Sequence, residues 1–309
     1  MGYTNQRIAY GETLVGLGKE NKNIVVLDAD LCGSTMGRLF ENAYPDRHFE
    51  MGIAEANMTS VAAGLSTTGK IPFIGSFAVF AAGRAYDQIR QAISIGELNV
   101  KIVGSSAGLS DFGDGSTHQS VEDMAIMQAI PNMMVISPAD ANEAVEATKA
   151  IAKYEGPVYM RLNRNDYENV TEVGKPFVIG EPCVMREGTD LVIFATGIMV
   201  GMALKAAEIV APKISVKVVN VATIKPVNPE KIRELTDGMK AVLTTEEHSV
   251  IGGLGAMVLS ALAKSRIPVE LMGIEDTFGC SATNYDDLLA YFGFTVDGVV
   301  EKIEKAMDV

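Results

Sequence analysis

The sequence predicts an α/β protein of two doubly wound domains, and three observations carry that prediction. Strand-like and helix-like segments alternate along the chain, the pattern of parallel strands joined by crossover helices. At 309 residues the chain is long for one core and comfortable for two. A turn-rich stretch near the middle interrupts the alternation, which then starts again.

In the first half, residues 8–18 have helical apolar spacing. Residues 23–28 contain the unbroken apolar run Ile24-Val25-Val26-Leu27, the mark of a strand buried on both faces. A short strand at 48–51 runs into a helix at 54–65, and apolar spacing predicts a helix at 84–95. Strands at 100–104, 134–137 and 158–162 then alternate with helices at 122–129 and 141–153. Residues 163–188 are mixed and turn-rich, with Gly174, Pro176, Gly180 and Pro182, and place a domain boundary there. The two domains are thus residues 1–170 and 171–309. The second half predicts strands at 191–195, 216–219, 241–245 and 269–272. Helices are predicted at 199–210, 229–235 and 255–263, with a helical end. Pro229 suits a first helical turn, where no N–H is needed.

Composition bounds the function. Hydrophobic residues are 48% and charged residues 21%, with no low-complexity stretch, so an ordinary globular protein is expected. A formal net charge of −13 repels polyanions and argues against a nucleic-acid partner. A phosphate-bearing ligand must then be small and met by a few local cations. Cys32, Cys183 and Cys280 are far apart and odd in number, which gives neither a disulfide framework nor a metal-ligand spacing and fits a reducing cytoplasm. The first residues show no secretory or myristoylation pattern, and no apolar run is long enough for a membrane span.

Four segments carry possible chemistry. Residues 51–58 put Glu55 in the first turn of a helix among apolar neighbours. A lone glutamate there is ordinarily favoured by the helix dipole; the functional alternative is a half-buried carboxyl sharing a proton with a ligand nitrogen. Residues 75–90 place Phe77 and Phe80 three apart among small residues. Core packing is the ordinary explanation, and a floor for a flat heterocycle is the other. Residues 111–119 form a polar, glycine-rich loop with Asp114 and His118. Such loops seldom build cores and the chain has only three His, so a site is favoured here, although Ser116 or Thr117 can simply cap a helix. Residues 244–255 pass from a strand end through a polar turn into a glycine-rich helix start, where ligands can gather. Close packing between subunits is the favoured role for those glycines. Gly113-Asp114-Gly115 followed by Asn142 mimics a diphosphate–magnesium motif, but Asn142 opens a helix and a second Asn is missing. No other phosphate loop is present.

Taken together, Leu27-Asp28-Ala29-Asp30-Leu31, Gly52-Ile53-Ala54-Glu55-Ala56-Asn57-Met58, residues 77–90, residues 114–119 with Ile130-Pro131-Asn132, and residues 246–253 resemble the transketolase family of thiamine diphosphate enzymes. The order and spacing of the segments are specific, and the resemblance runs from Arg7 nearly to the C-terminus. It is closest to the C-terminal half of those enzymes, supplied as a separate subunit. It implies a pyrimidine-binding domain followed by a smaller C-terminal domain. The family's diphosphate- and Mg2+-binding domain would be carried by an N-terminal partner subunit, with the cofactor between chains, around a self-associating dimer core extended to a heterotetramer.

By that resemblance Glu55 hydrogen-bonds the aminopyrimidine ring of thiamine diphosphate and, with His118, is catalytic. Phe77 and Phe80 form the aromatic wall, and Asp30 lies near the cofactor. Asp114 and His118 read substrate hydroxyls, and Arg7, Ser34 and Arg164 hold a sugar phosphate. The implied reaction moves a two-carbon ketol unit from a ketose phosphate to an aldose phosphate, as in the pentose phosphate pathway. Ser106 and Gly83 depart from the family pattern and bear on the phosphate pocket. Arg84-Ala85-Tyr86-Asp87-Gln88 also resembles 1-deoxy-D-xylulose-5-phosphate synthase, where Arg84 is the phosphate contact. A 2-oxoacid dehydrogenase β subunit and a catalytically silent partner module are the remaining alternatives.

Overall fold

The apolar runs become the strands of two sheets in the computed structural model, which describes residues 4–308; Met1–Tyr3, on which part of the leader reading rests, lie outside them. In chain order the strands are β1 Ile24–Asp28, β2 His48–Glu50, β3 Ile71–Phe77, β4 Lys101–Ser105, β5 Met134–Ile136, β6 Val158–Arg161, β7 Cys183–Arg186, β8 Leu191–Ala195, β9 Val216–Asn220, β10 Thr223–Lys225, β11 Ala241–Ser249 and β12 Val269–Ile274. The first sheet has seven strands in the order β10-β5-β6-β4-β3-β1-β2, and the second has five, β12-β11-β8-β9-β7. All neighbours are parallel except two edge strands, β10 against β5 and β7 against β9. Helices interleave with both sheets, as a doubly wound fold requires.

Four features differ from expectation. β3 lies between β1 and β4 in the middle of its sheet, yet no strand was expected at its residues. Pro72, near its start, removes a ladder donor and disguises a central strand. β10 belongs by sequence to the second half but extends the first sheet, and three residues are too few to show a period. β11 runs four residues past its predicted end, because Glu246, Glu247 and His248 are buried within it. The helix expected at 84–95 starts earlier and is π-helical over Val79–Arg84 and Ile89–Ser94. Such wide turns recur at functional sites.

One apolar cluster spans both halves, joining Leu27, Ile74 and Ile102 to Val192, Val219 and Ile224. A buried polar seam also joins them. Arg161 Nε donates to Asp123 Oδ2 at 2.9 Å, its Nη1 donates to the Glu247 carbonyl at 3.2 Å, and Tyr159 donates to the same Asp123 oxygen at 2.7 Å. Asn163 Nδ2 reaches Tyr285 at 2.6 Å and Glu247 Oε2 at 3.3 Å. Burial alone would lower the Arg161 pKa, but the Asp123 and Glu247 charges hold it above its usual value. Burial raises the Glu247 carboxyl to about 7 and lowers His248 to about 4. His248 is therefore neutral at pH 7. Its Nδ1–H donates to the Ser249 carbonyl at 2.7 Å, and its Nε2 accepts from Ala125 N–H at 3.3 Å.

The glycines of residues 252–255 serve close packing within this chain. A Cβ added at Gly252 would meet Ala125 Cβ at 2.8 Å. Glu246 accepts from Leu254 and Gly255 N–H at 2.6 and 2.8 Å, capping helix Leu254–Ala261.

Candidate active site

The parallel strands of the first sheet end on one rim, where open α/β sheets collect ligands. Each sequence-predicted site residue follows such an end or faces it. Arg7 lies in the first turn of helix Gln6–Glu20, Asp30 and Ser34 follow β1, and Glu55 opens helix Glu55–Ser66 after β2. Phe77 closes β3, Phe80 and Arg84 lie in Val79–Arg84, Asp114 and His118 follow β4, and Arg164 follows β6.

Eight of these residues form a continuous chain of contacts. Arg7 Nη1 donates to the Ser34 carbonyl at 2.7 Å, and its Nη2 donates to the Arg164 carbonyl at 2.9 Å. The Arg164 guanidinium pairs with buried Asp111 at 2.7 Å and lies 5.8 Å from the Phe77 ring centroid. Phe77 and Phe80 stack with centroids 6.0 Å apart, and His118 stands edge-on to both, at 6.1 and 5.3 Å. Arg84 covers Phe80, with Cζ 4.0 Å from the centroid, and donates to Glu55 Oε1 at 3.0 Å. Asp30 and Asp114 share the rim but stay exposed. Asp30, with a φ of 60°, donates its N–H to Glu50 Oε1, and Asp114 precedes the turn Gly115–Thr117.

Burial sorts these groups. Glu55 is buried although it opens its helix, and the turn before it uses a left-handed Gly52, whose φ is 68°. Exposed Ile53 lies two residues before it. Burial, and next the Arg164 charge, draw the Arg7 pKa down to about 10 against the opposing pull of Asp111 and Asp166. Arg7 stays a cation at neutral pH, and its buried Nε has no hydrogen-bond partner among the described residues. Two crowded guanidiniums with a spare donor suit an anion. A stacked aromatic pair beside a buried carboxylate suits a flat heterocycle that can hydrogen-bond. Among the described residues no group of three or more His, Cys, Asp or Glu is arranged to hold a metal ion.

Two supporting groups escaped the sequence. Asp111, within the loop already singled out, is the partner that fixes Arg164. Asp28 at the end of β1 holds Thr35 at 2.7 Å and His48 at 3.1 Å, and so anchors the segment that carries Ser34. Burial would lower the His48 pKa, but its hydrogen bond to Asp28 raises it. Scarcity of histidine was the available signal. Of the two departures, Ser106 is fully buried at a φ of 55°, just past the end of β4, and a Cβ added at Gly83 would meet nothing within 4 Å.

Family models of the transketolase pyrimidine-binding domain and C-terminal domain match residues 4–169 and 180–299. The chain belongs to the transketolase family. It is 46% identical over 312 residues to a putative transketolase C-terminal section from Methanocaldococcus jannaschii, covering 99% of this chain and 97% of that protein. It is 40% identical to the 6-deoxy-6-sulfo-D-fructose transketolase subunit of a Clostridium species, covering 95% and 92%. A solved split-gene transketolase, described as an inactive beta4 tetramer, superposes with a TM-score of 0.89 at 45% identity, covering 99% of both chains. Membership implies dependence on thiamine diphosphate, and the rim residues fit its pyrimidine end: a buried carboxylate for the ring nitrogens and an aromatic pair for the ring face. No helix of the described residues is long and apolar enough to cross a membrane.

Proposed function

We propose that this chain is the C-terminal subunit of a split transketolase, working in the cytoplasm with an N-terminal subunit that grips the cofactor's diphosphate and Mg2+. Two such pairs around a dimer of this chain give the assembly. The observation that carries the reading is Glu55, buried on the rim beside the Phe77–Phe80–His118 cluster. Thiamine diphosphate, when bound, supplies a nucleophilic carbon that can cleave the bond next to a ketone. The residues of this chain do the rest. Glu55 exchanges a proton with the pyrimidine ring nitrogen, and Phe77 and Phe80 hold the ring face.

His118 meets the donor hydroxyl, and Asp114, four residues earlier on the same loop, meets a second hydroxyl and discriminates its configuration. Asp30 borders the cofactor. Arg7, Arg164 and the Ser34 segment receive the sugar's anionic end. The reaction is transfer of a two-carbon ketol unit from a ketose phosphate to an aldose phosphate. A relative whose name specifies a sulfonated ketose motivates a sulfonated donor as a second anion to try.

The test combines the chain with its N-terminal subunit, thiamine diphosphate and Mg2+, and offers ketose phosphates, a sulfonated ketose and pyruvate as donors. Ketol transfer from a ketose phosphate supports the reading. Turnover of pyruvate alone replaces it with a deoxyxylulose-phosphate synthase or 2-oxoacid dehydrogenase activity. Absence of turnover with every donor leaves a silent partner module.

A further inference from the structure

The niche that Glu55 and Phe80 form already has an occupant from the chain itself. The Arg84 guanidinium lies 4.0 Å from the Phe80 centroid and donates to Glu55 Oε1 at 3.0 Å. A guanidinium is flat, delocalised and edged with N–H donors. An aminopyrimidine is likewise flat, with polar nitrogens on its edge. The two contacts assigned above to the cofactor ring, a face against Phe80 and a hydrogen bond at Glu55, are therefore the contacts Arg84 makes. The Arg84 side chain is 50% exposed while that of Glu55 is 4% exposed, so the arginine is a cover on the niche rather than part of the core. Its exposed half already faces solvent, so the side chain can leave the niche without crossing the core.

We infer that Arg84 is a self-made plug, occupying the pyrimidine niche of the unassembled chain and giving way when the cofactor ring enters. The inference rests on the proposed function for Glu55 and Phe80. In the empty state Arg84 neutralises a buried carboxylate and shields an aromatic face. Cofactor binding must displace it, so the apparent affinity is reduced by the fraction of molecules with the niche closed.

Isothermal titration calorimetry tests this with two probes. The first is 4-amino-5-hydroxymethyl-2-methylpyrimidine, titrated into the chain alone. The second is thiamine diphosphate with Mg2+, titrated into the complex with the N-terminal subunit. Arg84→Ala is expected to bind the pyrimidine about ten-fold more tightly than the unaltered chain, the scale of a lost competing ion pair and ring contact. Arg84→Lys keeps the charge but loses the flat fork, and falls between. Cofactor affinity of the complex rises in the same order. Arg84→Gln carries the same comparison if circular dichroism shows Arg84→Ala unfolded. Equal, weaker or absent pyrimidine binding by the variants, with cofactor binding intact in the complex, overturns the plug and leaves the proposed function standing. Failure of the unaltered and variant complexes alike to bind thiamine diphosphate overturns both.

Discussion

Two arginine–carboxylate pairs, Arg161–Asp123 and Arg84–Glu55, have nearly the same length, 2.9 and 3.0 Å, and opposite characters. Arg161 is 6% exposed, and its donors reach Asp123, the Glu247 carbonyl and the Ser120 carbonyl. Arg84 is half in water, with one donor on Glu55 and its face on a single ring. The first pair cannot let go without leaving a buried charge alone, whereas the second can exchange its partner for solvent or a ligand. An ion pair's distance therefore says little about its role. The surroundings of the cation decide whether the pair fastens the fold or guards a site.

The largest expected effect breaks the seam. Arg161→Met should cost about 3–5 kcal/mol in chemical denaturation, because Asp123 remains buried without its partner. A loss below about 1 kcal/mol would erase the distinction between the two regions. Next comes a pH effect confined to the seam. Burial raises the Glu247 pKa from its ordinary value of 4.5 to about 7. Its folded pKa is raised, so its favourable contribution is full below about 4.5 and is lost as pH rises through about 7. Glu247→Gln, measured against the unaltered chain, should gain about 2–3 kcal/mol of relative stability across that window and stay level above it.

On the rim, Phe80→Ala should weaken thiamine diphosphate binding to the assembled complex by about 1 kcal/mol, roughly five- to ten-fold, by calorimetry. Its stability should change far less than that of Arg161→Met. The smallest effect is predicted for Arg84→Ala, whose thermal unfolding should differ from that of the unaltered chain by less than about 1 kcal/mol, since water replaces the guanidinium at Glu55. A loss as large as that of Arg161→Met would make Arg84 a structural residue.

The rim was legible in the sequence to an extent that the seam was not. Taken alone, Phe77 and Phe80 read as core packing and Glu55 as a dipole-favoured glutamate; only the polar loop of His118 stood out, and the ordered resemblance of the segments to the transketolase family gathered the four residues. The contacts of Arg7 with Ser34 and Arg164 join residues 27 and 157 positions apart, and no local pattern encodes them. The seam was hidden because it inverts the usual rule. Glu246, Glu247 and His248 look like a solvated turn, yet each is buried within β11, with partners supplied by residues far away in the chain. Pro72 concealed β3 in the same way, by placing a strand-breaking residue at the edge of a true central strand.

In the proposed mechanism the Glu55 carboxyl exchanges a proton with the cofactor's pyrimidine ring. The most direct test of this is the turnover of the assembled complex carrying Glu55→Gln, at saturating thiamine diphosphate and ketose phosphate. A near-isosteric amide keeps the niche filled but cannot take up the proton. A loss of kcat of about 10²-fold or more is expected, with assembly intact by sedimentation. Turnover within about two-fold of the unaltered complex would contradict it.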